Sequence, residues 1–338
     1  MNKKIIALAC AAVIATPMAV QAADVEIYGK ALMGLTYVDN GGNNADEKDS
    51  SVSVTNYSSR LGFKGGEKLG NGMTAIYQYE IEIYLDEMKE TNKTRDAFVG
   101  LKGDFGKVRF GRLSTPYKKS TGSIDAFGQM EADFNGGQDR IIGHNTRENN
   151  IVMFNSNKLG DFKFSAAYSG SVENDESVQT TNQSNQSLVS VMASFTQGPL
   201  FLTAAYESIE QGAGKHDDEA AKVGMTLKMG ENRLGAVVDR LTGQEPTIYA
   251  NYDMQMGDSY SMHFAAAMRD ERANNQKGMN YFAVGAKHKY SKTAEVYALF
   301  TQIQNDTNSE VGMKKADAVM GETISAISVG MNMKFSSK

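Results

Sequence analysis

The chain has 338 residues, a formal net charge of −5, 41% hydrophobic residues and one cysteine, Cys10. The acidic balance argues against a nucleic-acid partner, and a lone thiol cannot build a disulfide framework. Beyond the first two dozen residues no apolar run approaches the roughly 20 residues that a membrane-spanning helix needs, which excludes a helical membrane protein.

Residues 1–22 place Lys3 and Lys4 before an apolar run from Ile5 towards Val20 and close on Gln21-Ala22. This is the layout of a secretory signal peptide, with cleavage expected after Ala22 and residues 23–338 forming a single domain. Cleavage removes Cys10, so export carries no implication of disulfides here. Cys10 also lies too early in the apolar run for lipid attachment.

From there the dominant signal has a period of two. Between Thr74 and Leu85, Ala75, Tyr77, Tyr79, Ile81 and Ile83 share one face of an extended strand, while Thr74, Gln78, Glu80 and Glu82 share the other. Similar alternation predicts sixteen strands, near 24–38, 52–65, 73–85, 94–103, 107–113, 147–156, 161–170, 187–197, 200–210, 220–229, 233–241, 246–254, 259–270, 279–290, 294–304 and 324–335. An even count returns the chain to its starting side, as a closed up-and-down barrel with both termini in the periplasm requires.

The connections fall into two sets. Lys68–Gly72, Gly103–Gly106, Asn157–Gly160, Gln197–Pro199, Gly230–Asn232, Gln255–Asp258 and Ser291–Thr293 read as tight turns. Asp39–Ser51, Val172–Gln186, Gln211–Glu219, Glu271–Lys277 and Asn305–Glu322 are longer and mostly polar. Short turns on one rim and long loops on the other suit the periplasmic and extracellular ends of a membrane barrel. The expected fold is therefore all-β: a 16-stranded antiparallel transmembrane β-barrel. Its soluble-like mean hydropathy follows, because half of each strand faces a polar lumen.

The connection from Ser114 to Thr146 exceeds thirty residues and carries Ile124, Phe127, Met130, Phe134, Ile141 and Ile142. It is too apolar for a solvated tail, so we expect it to pack against the barrel wall. Tyr28, Tyr37, Tyr290 and Phe335 are expected as aromatic anchors at the membrane interfaces, and Met331 and Met333 as lipid-facing filler.

Several short runs carry a resemblance. They are Ile27-Tyr28-Gly29-Lys30, the stretch Ser59–Gly72 with Ser59-Arg60-Leu61-Gly62-Phe63-Lys64-Gly65 at its head, Lys93–Lys102, Phe110-Gly111-Arg112 and Val329–Phe335. In this order, and across nearly the whole mature chain, they resemble the trimeric general porins of Gram-negative outer membranes. The resemblance implies a homotrimer set in outer-membrane lipid and lipopolysaccharide, with a third loop folded inward to narrow the pore. It also implies a basic cluster on the wall, at Lys30, Arg60, Arg95 and Arg147, facing acids on that loop. Asp125 is the first choice for the acidic side, followed by Glu131 and Asp133; Arg140 is an additional basic candidate.

Strand parity supports part of this, since Arg60 shares a face with Ser58 and Gly62, and Lys30 with Glu26 and Tyr28. Fixed opposite charges across a narrow passage make a transverse field that orders water and sorts ions. Two features depart from the family pattern: Ser336-Ser337-Lys338 follow Phe335, and Asn332 stands where many relatives have a basic residue.

The function expected is a passive channel for ions and small hydrophilic solutes, without cofactor, metal or catalysis. His144, His216, His263 and His288 lack metal-like spacing, and Gly212–His216 lacks the first glycine and the Ser/Thr of a phosphate loop. Three alternatives stay open: a substrate-selective porin, a barrel-based outer-membrane enzyme, and an adhesin using loops such as Val172–Gln186.

Overall fold

The computed structural model describes residues 25–41, 50–89, 92–134, 140–170, 186–210, 218–270, 278–307, 309–314 and 320–338. The expected signal peptide, the His216 turn and most of the 172–186 loop lie outside these residues. The strands run β1 (Glu26–Asp39), β2 (Ser50–Asn56), β3 (Arg60–Gly70), β4 (Met73–Glu82), β5 (Lys93–Gly103) and β6 (Gly106–Ser114). After the short helix α1 (Pro116–Ser120) come β7 (Arg147–Asn155), β8 (Phe162–Ser169), β9 (Leu188–Gln197), β10 (Leu200–Ile209), β11 (Asp218–Met229) and β12 (Asn232–Leu241). The remainder are β13 (Thr247–Met256), β14 (Tyr260–Arg269), β15 (Met279–Lys289), β16 (Ala294–Asn305) and β17 (Thr323–Ser336).

These segments make a closed 16-stranded antiparallel barrel, because β2 and β3 together form one stave. Both pair with β1: β2 against Met33–Asp39 and β3 against Glu26–Lys30. Between them Ser58 adopts a left-handed φ of 65°, and the break turns Tyr57 into the interior. There the Tyr57 hydroxyl meets Thr36 Oγ1 at 2.5 Å, and the Ser59 hydroxyl accepts from Leu32 N at 2.9 Å. At the break Leu32 N is thus satisfied by a side chain, while the Leu32 carbonyl still accepts from Tyr57 N at 2.9 Å.

Closure comes from β1 and β17, which pair from Tyr28↔Ser336 to Asp39↔Ser325. A closed sheet has no edge, so every strand satisfies its backbone without water, as a bilayer demands. The first hairpin turn is tighter than expected. β3 extends to Gly70, and only Asn71 and Gly72, with φ of 48° and 74°, lie between it and β4. Two successive positive φ values make the type I′ geometry that matches strand twist.

Alternate residues of each strand expose apolar side chains outward, among them Leu35, Val52, Val99, Val223, Ile248 and Ile327. Each such side chain gains about 1.5–3 kcal/mol on leaving water, so a belt of them favours lipid by a wide margin. Tyr37 and Phe335 belong to this outer face, with the Phe335 ring lying over Gly29. Tyr28 does not. Its hydroxyl donates to Glu80 Oε2 at 2.9 Å and Lys64 sits 4.8 Å above its ring, so it is a lumen residue and not an interface anchor. The parity it shares with Lys30 decides this.

The described residues of the segment between β6 and β7, 115–134 and 140–146, pack on side chains and glycines of β9–β16. Thr115 caps α1 by accepting from Lys118 N at 3.2 Å, Pro116 begins the helix, and Tyr117 N donates to Ser190 Oγ at 3.0 Å. Ile124 sits over Gly224 and Gly235, where an added Cβ would lie 2.5 and 2.9 Å from its methyl carbons. Phe127 fills the notch at Gly285 in the same way, and Phe134 packs on Tyr249 at 4.3 Å between ring centroids. Ile124, Phe127, Met130, Phe134, Ile141 and Ile142 are all buried.

Candidate pore constriction

A β-bulge organises the basic wall. β4 and β5 pair as Tyr79↔Ala97 and then as Ile81↔Thr94, so Arg95 and Asp96 together oppose the single residue Glu80. In a regular strand two consecutive side chains would point to opposite faces. Here both find polar partners inside the barrel.

Arg95 Nε donates to Glu80 Oε1 at 2.6 Å and its Nη1 lies 3.5 Å from Glu82 Oε2. Asp96 accepts from Arg147 Nε at 2.7 Å, from Lys119 Nζ at 3.1 Å and from the Ser114 hydroxyl at 3.0 Å. Arg60 Nε lies 3.8 Å from Glu80 Oε2, the oxygen that also takes the Tyr28 hydroxyl. Lys30 pairs in register with Arg60 and donates to Gln129 Oε1 at 2.8 Å.

Arg60, Arg95 and Arg147 thus gather around Glu80, Glu82 and Asp96 on β4 and β5. These wall acids were absent from the candidate set. Glu80 and Glu82 carry the right parity, but Asp96 carries the wrong one for a regular strand. The uninterrupted polar run Thr94-Arg95-Asp96, where alternation calls for an apolar residue, was the available signal of a bulge.

The loop acids sit differently. Asp125 Oδ1 accepts from Phe127 N at 2.8 Å, closing a local turn. Burial, reinforced by the neighbouring Asp133, pushes the Asp125 carboxyl well above the usual carboxylate range. Asp133 Oδ2 accepts from Gln129 N at 2.8 Å and lies 3.5 Å from Lys314 Nζ. Glu131 is almost fully buried, and its carbonyl accepts from Lys314 N at 3.3 Å. Arg140 Nη2 donates to the Lys314 carbonyl at 3.1 Å. Acidic groups on this segment therefore tie the loop to itself and to its neighbours.

The histidines are scattered. His144 lies 3.4 Å from Glu207, His263 Nδ1 lies 2.8 Å from Asp253, and His288 lies tilted against Tyr260 and edge-on to Tyr290. Among the described residues no three His, Cys, Asp or Glu side chains are grouped to hold a metal ion.

A closed antiparallel barrel with an apolar exterior and charged side chains on the other face of its strands is an architecture with known relatives. The profile of the family described as Gram-negative porin matches residues 7–308. The chain is a Gram-negative porin.

The porin is 25% identical over 351 residues to the major outer membrane protein P.IB of Neisseria gonorrhoeae, spanning 95% of this chain and 99% of that one. P.IB of Neisseria sicca is 35% identical over 136 residues, or 39% of this chain and 37% of the relative. Among solved structures, the anion-selective porin from Comamonas acidovorans superposes with a TM-score of 0.80 at 22% identity, covering 93% of this chain and 100% of that one. The trimer form of OmpT from Vibrio cholerae gives 0.66 at 16% identity, with 93% and 100% covered. The porin is accordingly an outer-membrane channel for diffusion, and its barrel crosses the membrane with strands.

Proposed function

We propose that the porin is a homotrimeric, water-filled pore for ions and small hydrophilic solutes, narrowed by an inward-folded third loop and sorted by charge at that narrowing. Lys30, Arg60, Arg95 and Arg147 form the basic side of the constriction, and Asp125, Glu131 and Asp133 its acidic arm. Passage is diffusion down a gradient, without a covalent step, through a barrel surrounded by outer-membrane lipid and lipopolysaccharide. The trimer form of the Vibrio cholerae relative supports the assembly state.

One observation carries the reading: the wall cations outnumber the carboxylates they meet. Arg60 and Arg95 share Glu80, while Arg147 and Lys119 share Asp96. Burial and local hydrogen bonds meanwhile engage the acids of the loop. The Debye length is about 8 Å at physiological salt, comparable with the half-width of such a passage. The excess positive field therefore reaches a passing ion and favours anions, the selectivity named for the Comamonas acidovorans relative. In planar bilayers under a salt gradient, Arg60→Ala combined with Arg147→Ala should move the reversal potential towards cation preference. An unmoved potential overturns the reading.

A further inference from the structure

Described residues of the connection between β16 and β17 pack on the third loop. Asn305, at the end of β16, acts as a clamp: its Oδ1 accepts from Val311 N at 2.9 Å and from Ser309 Oγ at 3.1 Å, and its Nδ2 donates to the Val311 carbonyl at 3.2 Å. The clamp holds Ser309 and Val311 against the end of β16. Ser309, Val311 and Met313 become buried, the last two in the same apolar cluster as Met130 and Phe134 of the third loop.

Lys314 then docks on that loop at three points already described: its backbone N on the Glu131 carbonyl, its carbonyl under Arg140, and its ammonium 3.5 Å from Asp133 Oδ2. The same Asp133 oxygen accepts from Gln129 N, and the Gln129 side chain receives Lys30 from β1. Gln129 holds a left-handed φ of 72°, an unfavourable conformation for a residue with a β-carbon, and contacts at both of its ends hold it there. A continuous chain of polar contacts therefore runs from the final connection, through the third loop, to the first strand.

We infer that Lys314 is a selectivity-determining residue of this pore, placing a fixed positive charge on the acidic arm of the constriction. It compensates Asp133 and leaves the basic wall dominant, so the channel takes small anions such as chloride, phosphate and carboxylates in preference to cations. The inference rests on the constriction reading above and adds a residue and an element to it. The plainer role, in which Lys314 only packs one loop on another, depends on its stem and backbone and not on its charge.

Reversal potentials of four channels separate the two roles: the unaltered protein, Lys314→Met, Lys314→Glu and Lys314→Arg. One charge acting through about 8 Å of partly screened water changes an anion-to-cation permeability ratio roughly two- to fivefold. Lys314→Met should shift the ratio towards cations by that amount, Lys314→Glu further, and Lys314→Arg hardly at all. Equal shifts for Met and Arg, or silent Met and Glu variants, overturn the inference.

Should the Met or Glu variant assemble poorly, Lys314→Cys modified in the already folded channel reads the same charge. A cationic methanethiosulfonate should restore the anion preference and an anionic one reverse it; identical effects of the two reagents again overturn the proposal. A response to Arg60→Ala with Arg147→Ala alongside silent Lys314 variants defeats this inference alone, whereas no response to the arginine pair defeats the constriction reading itself.

Discussion

The bulge at Glu80 sets the chemistry of the wall residue by residue. It admits Arg95 and Asp96 to the same side of the sheet, and Asp96 then holds both Arg147 and Lys119 while accepting from Ser114. Removing one partner of a partly buried charge network leaves the others uncompensated, at a cost of roughly 3 kcal/mol. Asp96→Asn should therefore lower the unfolding free energy of the barrel by about that amount, read as a lower denaturant midpoint at unchanged m. It should also strengthen anion preference, because two cations lose their shared carboxylate; an increase in cation preference would contradict the charge assignment. Tyr28 makes the same point about neighbours. Its composition suits a membrane interface, but the polar face it shares with Lys30 and its bond to Glu80 place it in the pore.

At the scale of elements, the third loop is seated by shape as much as by hydrogen bonds. Gly224, Gly235 and Gly285 leave notches on β11, β12 and β15 into which Ile124 and Phe127 fit. At Gly285 even a methyl group would start 2.8 Å from the Phe127 ring. Gly285→Leu should displace the loop and alter single-channel conductance while leaving the far-ultraviolet circular dichroism of the barrel unchanged. Phe127→Ala removes a fully buried ring, worth about 3–5 kcal/mol of packing, all of it in loop anchorage. The expected record is a larger, noisier conductance, and a quiet channel of unaltered size would show that the loop is held elsewhere.

For the whole molecule, the decisive property is that one cylindrical wall separates hydrocarbon from water residue by residue. Val99 is strongly exposed on the outer face. An arginine near the bilayer midplane costs roughly 2–4 kcal/mol on that face, so Val99→Arg should cut the yield of heat-resistant barrel in detergent, and Val99→Leu should not. Selectivity should also depend on salt. Screening shortens from about 10 Å at 0.1 M to about 3 Å at 1 M, so the permeability ratio should fall towards unity over that range. A ratio independent of salt would mean that size alone governs passage. Conductance appearing in groups of three equal steps would report the trimer.

Alternation along the chain was sufficient to determine the strands, the lipid-facing and lumen-facing sets, and closure, because a period of two and an even strand count are local properties that the bilayer permits in few ways. Parity also puts Lys30 and Arg60 on the polar face, and the motifs around Arg95 and Arg147 single those two out as basic candidates. Which carboxylates they meet was not visible. Glu80 and Asp96 become partners only through a register shift between two strands, and Lys314 reaches Asp133 across 181 positions of sequence. Contacts of that kind depend on how closure brings distant loops together inside a bore a few side chains wide, and no local pattern encodes such a distance.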